Sequence, residues 1–271
     1  MNNWLIFTDL DGTLLDHHDY NFVQALPALE KIRKLQIPLI INSSKTYAEI
    51  KGIRRQMQNK WAFSVENGAA LFLPDGGLSG NDNNLQQIIL GKPHSEILKT
   101  LRILREQHNL SFMGFSDYTT KALMAETGLT ETQANQAKQR LASEPLKWLD
   151  SQQNLVLFEQ VLEAQDLQLI QGGRFLHVMG QNDKSLAMTW LLNNFNQLQK
   201  SLTLALGDSQ NDQKMLEQAD FAAVIRNKSG NYLQLNKNPE QVIFSRHPAP
   251  LGWQEVMDQL FTKLSIGTPN E

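Results

Sequence analysis

The chain has 271 residues, 41% of them hydrophobic, with 25 basic and 28 acidic side chains, a formal net charge of −3 and no cysteine. That length can bury a large core in one domain or two modest ones, and the composition excludes a disordered or collagen-like chain. Without cysteine there are no disulfides, thiol nucleophiles or cysteine-based metal sites, and no run of Lys/Arg offers a cationic stripe for nucleic acid.

The opening string Met1-Asn2-Asn3-Trp4-Leu5-Ile6-Phe7-Thr8 reaches Asp9 and Asp11 without the basic and apolar regions of a signal peptide. No apolar stretch is long enough to span a bilayer. A soluble cytoplasmic protein is expected, with no membrane, nucleic-acid or protein partner indicated.

Trp4-Leu5-Ile6-Phe7 reads as a buried strand that stops at the polar loop Thr8-Asp9-Leu10-Asp11-Gly12-Thr13. Phe22, Leu26, Leu29, Ile32 and Leu35 recur at helical spacing, which predicts a surface helix over 22–35. A second buried strand, 37–41, ends in Asn42-Ser43-Ser44-Lys45-Thr46 before a helix over about 47–57. This β-α-β-α rhythm predicts a Rossmann-like parallel sheet covered by helices, with ligands outside the carboxyl ends of the strands.

Beyond the apolar stretch 63–72, the polar and glycine-rich residues 74–84 read as a surface excursion, and a domain boundary is placed there. Residues 81–179 are expected to form an inserted α+β cap, with helical patterns at 97–105 and 131–142 and strand-like runs at 155–158 and 175–178. Residues 1–80 and 180–271 form the α/β core in this division. Within it, 184–198 reads as a helix and Leu202-Thr203-Leu204-Ala205-Leu206 as a third buried strand, ending in Gly207-Asp208-Ser209-Gln210-Asn211-Asp212. The tail from Ser265, polar with Gly and Pro, is expected to be loose.

Asp9-Leu10-Asp11-Gly12-Thr13, Ser43, Lys184 and Gly207-Asp208-Ser209-Gln210-Asn211-Asp212 stand in the order of the four motifs of the haloacid dehalogenase superfamily, and the chain resembles its phosphatases. Further strings are similar to the mannosyl-3-phosphoglycerate phosphatase family: Ser43-Ser44-Lys45-Thr46 with Glu49, Glu66-Asn67-Gly68-Ala69, Thr127-Gly128-Leu129-Thr130, Ala137-Lys138-Gln139-Arg140, Glu144-Pro145 and Gly172-Gly173-Arg174-Phe175 with His177-Val178. The resemblance implies a Mg²⁺-dependent phosphatase acting on a small phosphorylated sugar-glycerate. A glucosyl-3-phosphoglycerate phosphatase and a broader sugar-phosphate phosphatase stay open as alternatives.

Chemistry suggests roles for these residues. Asp9 suits a carboxylate nucleophile that forms an aspartyl-phosphate. Asp11 suits the acid that protonates the leaving oxygen and then the base that activates water. Oxygen ligands at neighbouring strand ends fit Mg²⁺, assigned here to Asp9, Asp208 and the backbone carbonyl of Asp11. Asp212 joins this metal site as the group that orients Lys184 or a metal-bound water. Ser43 and Lys184 would hold phosphoryl oxygens, and a cation at a helix start is best explained by an anion beside it.

Ser44 reads as the N-cap of the helix that starts near Tyr47. By resemblance Ser44, Lys45, Thr46, Glu66, Asn67 and Arg174 are substrate contacts, with Arg174 forking onto the glycerate carboxylate. His177, flanked by apolar residues, reads as packed and not catalytic.

Overall fold

The structure, a computed structural model, describes residues 4–17, 19–171 and 174–263. Expectations for Gly172, Gly173 and the tail from Ser265 lie outside those residues. In chain order the elements are β1 (Trp4–Thr8), α1 (Leu26–Lys34), β2 (Leu39–Asn42), α2 (Tyr47–Gln56), β3 (Phe63–Val65), β4 (Ala70–Asp75) and β5 (Asn81–Ile89). Then come α3 (His94–His108), β6 (Phe112–Gly114), α4 (Thr120–Thr127), α5 (Glu131–Ala137), β7 (Ser143–Trp148), α6 (Gln152–Glu163), β8 (Leu167–Gln171) and β9 (Leu176–Gly180). The chain returns through α7 (Lys184–Asn194), β10 (Leu202–Gly207), α8 (Gln213–Gln218), β11 (Phe221–Val224), β12 (Val242–Phe244) and α9 (Leu251–Lys263).

Eight strands form one sheet in the order β12-β11-β10-β1-β2-β3-β4-β5. Its strands from β12 to β3 are parallel, and β4 and β5 are added antiparallel. β1 lies between β10 and β2 and is buried throughout, because its side chains alternate between two helix layers. Trp4 and Ile6 pack with Leu29 and Ile32 of α1, Ile50 of α2 and Trp253 of α9. Leu5 and Phe7 pack on the opposite side with Met188 and Leu191 of α7 and Met215 and Leu216 of α8. The three-layer α/β core expected from the sequence is present.

The inserted module has its own antiparallel sheet, β6-β7-β9-β8, with α3 and α6 against one face. Phe158 of α6 is fully buried there, its ring centroid 5.3 Å from that of Phe112 and 5.2 Å from that of Trp148. Truncation of such an aromatic to Ala costs about 3–5 kcal/mol.

Three expectations need correction. The run 155–158 is helical, part of α6: Ser151 caps this helix by accepting from Asn154 N, and Phe158 and Leu162 bury one helical face. The helix expected over 131–142 stops at Ala137, and residues 141–143 lead into β7. The boundary at residue 80 falls inside a β-hairpin, since β5 is hydrogen-bonded to β4 and belongs to the larger sheet. Its Asn-Asp-Asn-Asn start is exposed, so an edge strand reads as a polar loop.

Candidate active site

The ends of three neighbouring parallel strands converge. β1 delivers Asp9, whose N–H donates to Leu206 O at 3.0 Å. β10 delivers Asp208, and β2 delivers Ser43, whose N–H donates to Ser64 O at 3.2 Å. Lys184 enters as the first residue of α7, which Asp183 caps. The turn Glu66-Asn67-Gly68 fixes this helix start. Gly68 has φ +81°, and a Cβ there would lie 2.2 Å from Asp183 O, so only glycine allows the approach.

The fully buried Lys184 ammonium donates to Asp9 Oδ1 at 2.6 Å and to Asp212 Oδ1 at 2.5 Å. Burial would lower the Lys184 pKa, but Asp212 and Asp9 outweigh it and hold the group above its usual range. Asp212 Oδ2 accepts from the backbone N–H groups of Asp208 and Ser209, at 3.0 and 3.1 Å. Both Asp212 oxygens are therefore engaged, and its place is to hold Lys184 and the Asp208 backbone. Thr13 Oγ1 donates to Asp208 Oδ1 at 3.1 Å.

Asp9, Asp208 and Asp212 each offer an oxygen, all within 4.8 Å of one another. One ammonium does not balance three buried carboxylates. Burial pushes Asp9 up to about 7, with Asp212 and Asp11 adding to the rise and Lys184 opposing it. Asp208 is pushed up to about 8 by burial and by the charges of Asp212 and Asp9. The donors are hard oxygens with uncompensated negative charge, which fits a divalent cation held by Asp9 and Asp208. Gly12 keeps this space clear, since a Cβ there would lie 2.7 Å from Asp208 Oδ2.

Asp11 lies at the other side of the loop, its Oδ1 3.1 Å from the Lys45 ammonium. That ammonium also sits 4.2 Å from the centroid of the Tyr20 ring. Asp11 and Glu49 raise the Lys45 pKa against the opposing effect of its burial. Lys45 N donates to Ser43 Oγ at 3.2 Å. The cap of α2 is Thr46 and not Ser44: Thr46 Oγ1 accepts from Glu49 N, and the Glu49 carboxylate accepts from Thr46 N at 2.8 Å. The Thr46-x-x-Glu49 capping box is a signal present in the sequence.

The remaining expected contacts are engaged by neighbouring loops and by the cap. Glu66 is buried and bonds the cap: Oε1 accepts from Leu141 N at 2.8 Å, and Oε2 from Ala142 N at 3.1 Å and Ser143 Oγ at 2.6 Å. Asn67 Oδ1 accepts from Asn211 Nδ2 at 3.0 Å. Ser44 O accepts from Arg140 Nη1 at 3.2 Å, and Thr46 Oγ1 donates to Gln136 O at 2.9 Å. Arg174 Nη2 donates to Thr127 O at 2.6 Å within the cap. His177 is half-buried on β9 opposite Pro145, and burial with the nearby Arg140 charge pushes its pKa down to about 3. Arg140, Tyr20 and Asn211 are parts of this region to which sequence reasoning assigned no role. Tyr20 carries no local signal, and Arg140 lies within a string already noted for the cap.

A parallel α/β core with an inserted cap and an aspartate-rich cluster at its strand ends defines a haloacid dehalogenase-like hydrolase. The haloacid dehalogenase-like hydrolase family description matches residues 6–238. The glucosyl-3-phosphoglycerate/mannosyl-3-phosphoglycerate phosphatase of Persephonella marina is 34% identical over 271 residues, covering 97% of this chain and 99% of that one. Among solved structures, a Thermoplasma acidophilum protein matches with TM-score 0.65 at 16% identity, covering 98% of this chain and 100% of that chain. A haloacid dehalogenase-like hydrolase from Bacteroides thetaiotaomicron matches with TM-score 0.64 at 17% identity, covering 95% and 99%. The chain thus belongs to the haloacid dehalogenase-like hydrolases, in their mannosyl-3-phosphoglycerate phosphatase family, and is a phosphoric monoester hydrolase.

Proposed function

We propose that the protein is a Mg²⁺-dependent phosphatase that converts mannosyl-3-phosphoglycerate to mannosylglycerate and inorganic phosphate. The observation that carries the substrate is the full-length likeness to the Persephonella marina enzyme. Because that enzyme is named for both sugars, the glucosyl ester is the second reading.

Asp9 attacks phosphorus and the bond to the glycerate oxygen breaks, while Asp11 gives that oxygen its proton. Asp11 then takes a proton from the water that attacks the aspartyl-phosphate, which regenerates Asp9 and releases phosphate. Lys184 and Ser43 hold the phosphoryl oxygens, and Asp212 keeps the Lys184 ammonium in place. Mg²⁺ bound by Asp9, Asp208 and the Asp11 backbone carbonyl would lessen the repulsion between the phosphate and the carboxylates. Ser44, Lys45, Thr46, Asn67 and Arg174 remain proposed substrate contacts. Glu66 instead fastens the cap to the core through residues 141–143.

Phosphate release from the mannosyl and glucosyl esters, with and without Mg²⁺ and beside a panel of simple sugar phosphates, tests this reading. A kcat/KM for the glycosyl-phosphoglycerates far above the panel, lost on chelation, is expected. Equal weak rates across the panel would overturn the substrate, and undiminished rates in chelator would overturn the metal.

A further inference from the structure

The main chain of Lys45 is fixed on both sides: its N–H donates to Ser43 Oγ at 3.2 Å, and its carbonyl accepts from Glu66 N at 3.0 Å. The ammonium is fixed as well. It lies 3.1 Å from Asp11 Oδ1 and 4.2 Å from the centroid of the Tyr20 ring, with 11% of the side chain exposed. A cation over an aromatic face is attracted by the ring quadrupole, and the attraction grows as water is excluded.

Tyr20 reaches that place in an uncommon backbone conformation. The loop that follows the Asp9 and Asp11 motif closes on itself, with Asp16 N donating to Asn21 O at 2.8 Å and Tyr20 N donating to Asp16 O at 3.1 Å. Asp19 Oδ1 then accepts from Asn21 N at 2.9 Å, and Asn21 Oδ1 from Val23 N at 2.7 Å. Between these turns Tyr20 has φ +56°, a left-handed backbone that bulky residues rarely adopt. Asparagine or glycine would sit there at less cost, so a tyrosine held in this conformation points to a use for its side chain.

The proposed chemistry gives that use. Asp11 must approach the leaving oxygen to protonate it, so an ammonium beside Asp11 stands at the leaving group, whereas Lys184 stands at Asp9 and the phosphorus. In a phosphoglycerate ester the leaving oxygen and a carboxylate occupy opposite ends of one three-carbon chain. The leaving group thus brings an anion of its own. An ammonium has three donors; Asp11 and the ring face engage Lys45 on two sides, and a third N–H remains to meet that carboxylate. Arg174, expected from the sequence to take it, has its Nη2 committed to Thr127 O inside the cap. We propose that Tyr20 is a positioning residue whose ring face holds the Lys45 ammonium beside Asp11, where Lys45 pairs with the glycerate carboxylate of the substrate. This assignment rests on the glycosyl-phosphoglycerate reading and adds to it the pair of residues that reads the acid end.

Hydrolysis of the mannosyl and glucosyl esters, with 3-phosphoglycerate and glycerol 3-phosphate as competitors, tests the assignment. The two competitors differ in bearing a carboxylate or a hydroxymethyl group. The parent is expected to bind 3-phosphoglycerate the more tightly. Tyr20→Asn suits the left-handed backbone and removes the ring, and Tyr20→Leu keeps apolar bulk without the ring face. Both should raise KM for the esters by about three- to tenfold, change kcat less, and shrink the preference between competitors by a similar factor. Tyr20→Phe keeps the face and should restore the parent KM and preference. Lys45→Gln should abolish the preference, and Tyr20→Asn added to it should change KM by less than about twofold. Parent-like KM and preference in Tyr20→Asn and Tyr20→Leu, an equal loss for both competitors, or the full loss repeated in the Lys45→Gln background would overturn the role of Tyr20 while the substrate stands. A parent that hydrolyses neither ester would overturn the substrate reading and this assignment with it.

Discussion

Glu66 of the core and Ser143 of the cap are joined side chain to side chain, 77 residues apart, with Ser143 Oγ donating to Glu66 Oε2 at 2.6 Å. The same carboxylate takes the backbone N–H groups of Leu141 and Ala142, so one buried acid receives three donors at the start of β7. Arg140, one residue earlier, donates to Ser44 O beside the α2 cap. The cap is thus fastened to the two core loops that flank Ser43 and Asn67.

Glu66→Ala is expected to loosen this fastening. A hydrogen bond to a charged group is worth about 1.5–3 kcal/mol, so the amides of Leu141 and Ala142 should exchange with solvent at least tenfold faster than in the parent. kcat/KM for the sugar ester should fall, while Ser143→Ala should do less because the two backbone donors remain. Unchanged exchange at both amides in Glu66→Ala would refute the fastening role.

Asp212 and Lys184 form a buried pair whose members depend on each other. Removal of one partner from such a pair costs about 3–5 kcal/mol. Asp212→Ala also frees the N–H groups of Asp208 and Ser209, so a loss at the upper end is expected in urea unfolding. Asp212→Asn keeps the shape and should recover part of the stability. Equal stability of both variants and the parent would contradict the account given of this carboxylate.

Much of the site was legible because its motifs follow strands that show plainly. β1, β2 and β10 are short apolar runs buried on both faces, and each ends abruptly in Asp, Ser or Gly. β5 was not legible, since an exposed edge strand needs few apolar residues. Residues 155–158 misled because four consecutive apolar residues suit a buried strand and a buried helix equally. The Glu66 contacts to the cap were out of reach for a different reason: they depend on how two modules meet, and no local spacing encodes that. Thr46, in contrast, could have been recognised as the helix cap from Glu49 three residues on.

The pH dependence of stability should report the crowded carboxylates directly. Asp9 and Asp208 are pushed to about 7 and about 8, above the ordinary value of 3.8 that they regain on unfolding. The folded state therefore holds protons that the unfolded state has released, and stability falls as pH rises from about 4 through 8. In chelator, Tm should decline across that window. Mg²⁺ should raise Tm more at pH 8 than at pH 5, because it binds the ionised carboxylates. A Mg²⁺ effect of equal size at both pH values would argue against these two residues as its ligands.

Asp9→Asn sets the chemistry against the fold in one substitution. The amide cannot form the acyl phosphate, so turnover should be lost by at least about a thousandfold, beyond what the loss of a single hydrogen-bond donor costs an active site. The same change removes one of the crowded charges and leaves an oxygen for the Lys184 ammonium, which Asp212 still neutralises. Metal-free Asp9→Asn protein should consequently unfold at a higher temperature than the parent at pH 8, with the gap closing toward pH 5, where Asp9 is already protonated. Differential scanning calorimetry in chelator at the two pH values, paired with phosphate-release assays in Mg²⁺, measures both arms. Retained turnover would remove Asp9 as the nucleophile. A lower Tm at pH 8 would mean that the Asp9 charge supports Lys184 more than it repels Asp208 and Asp212.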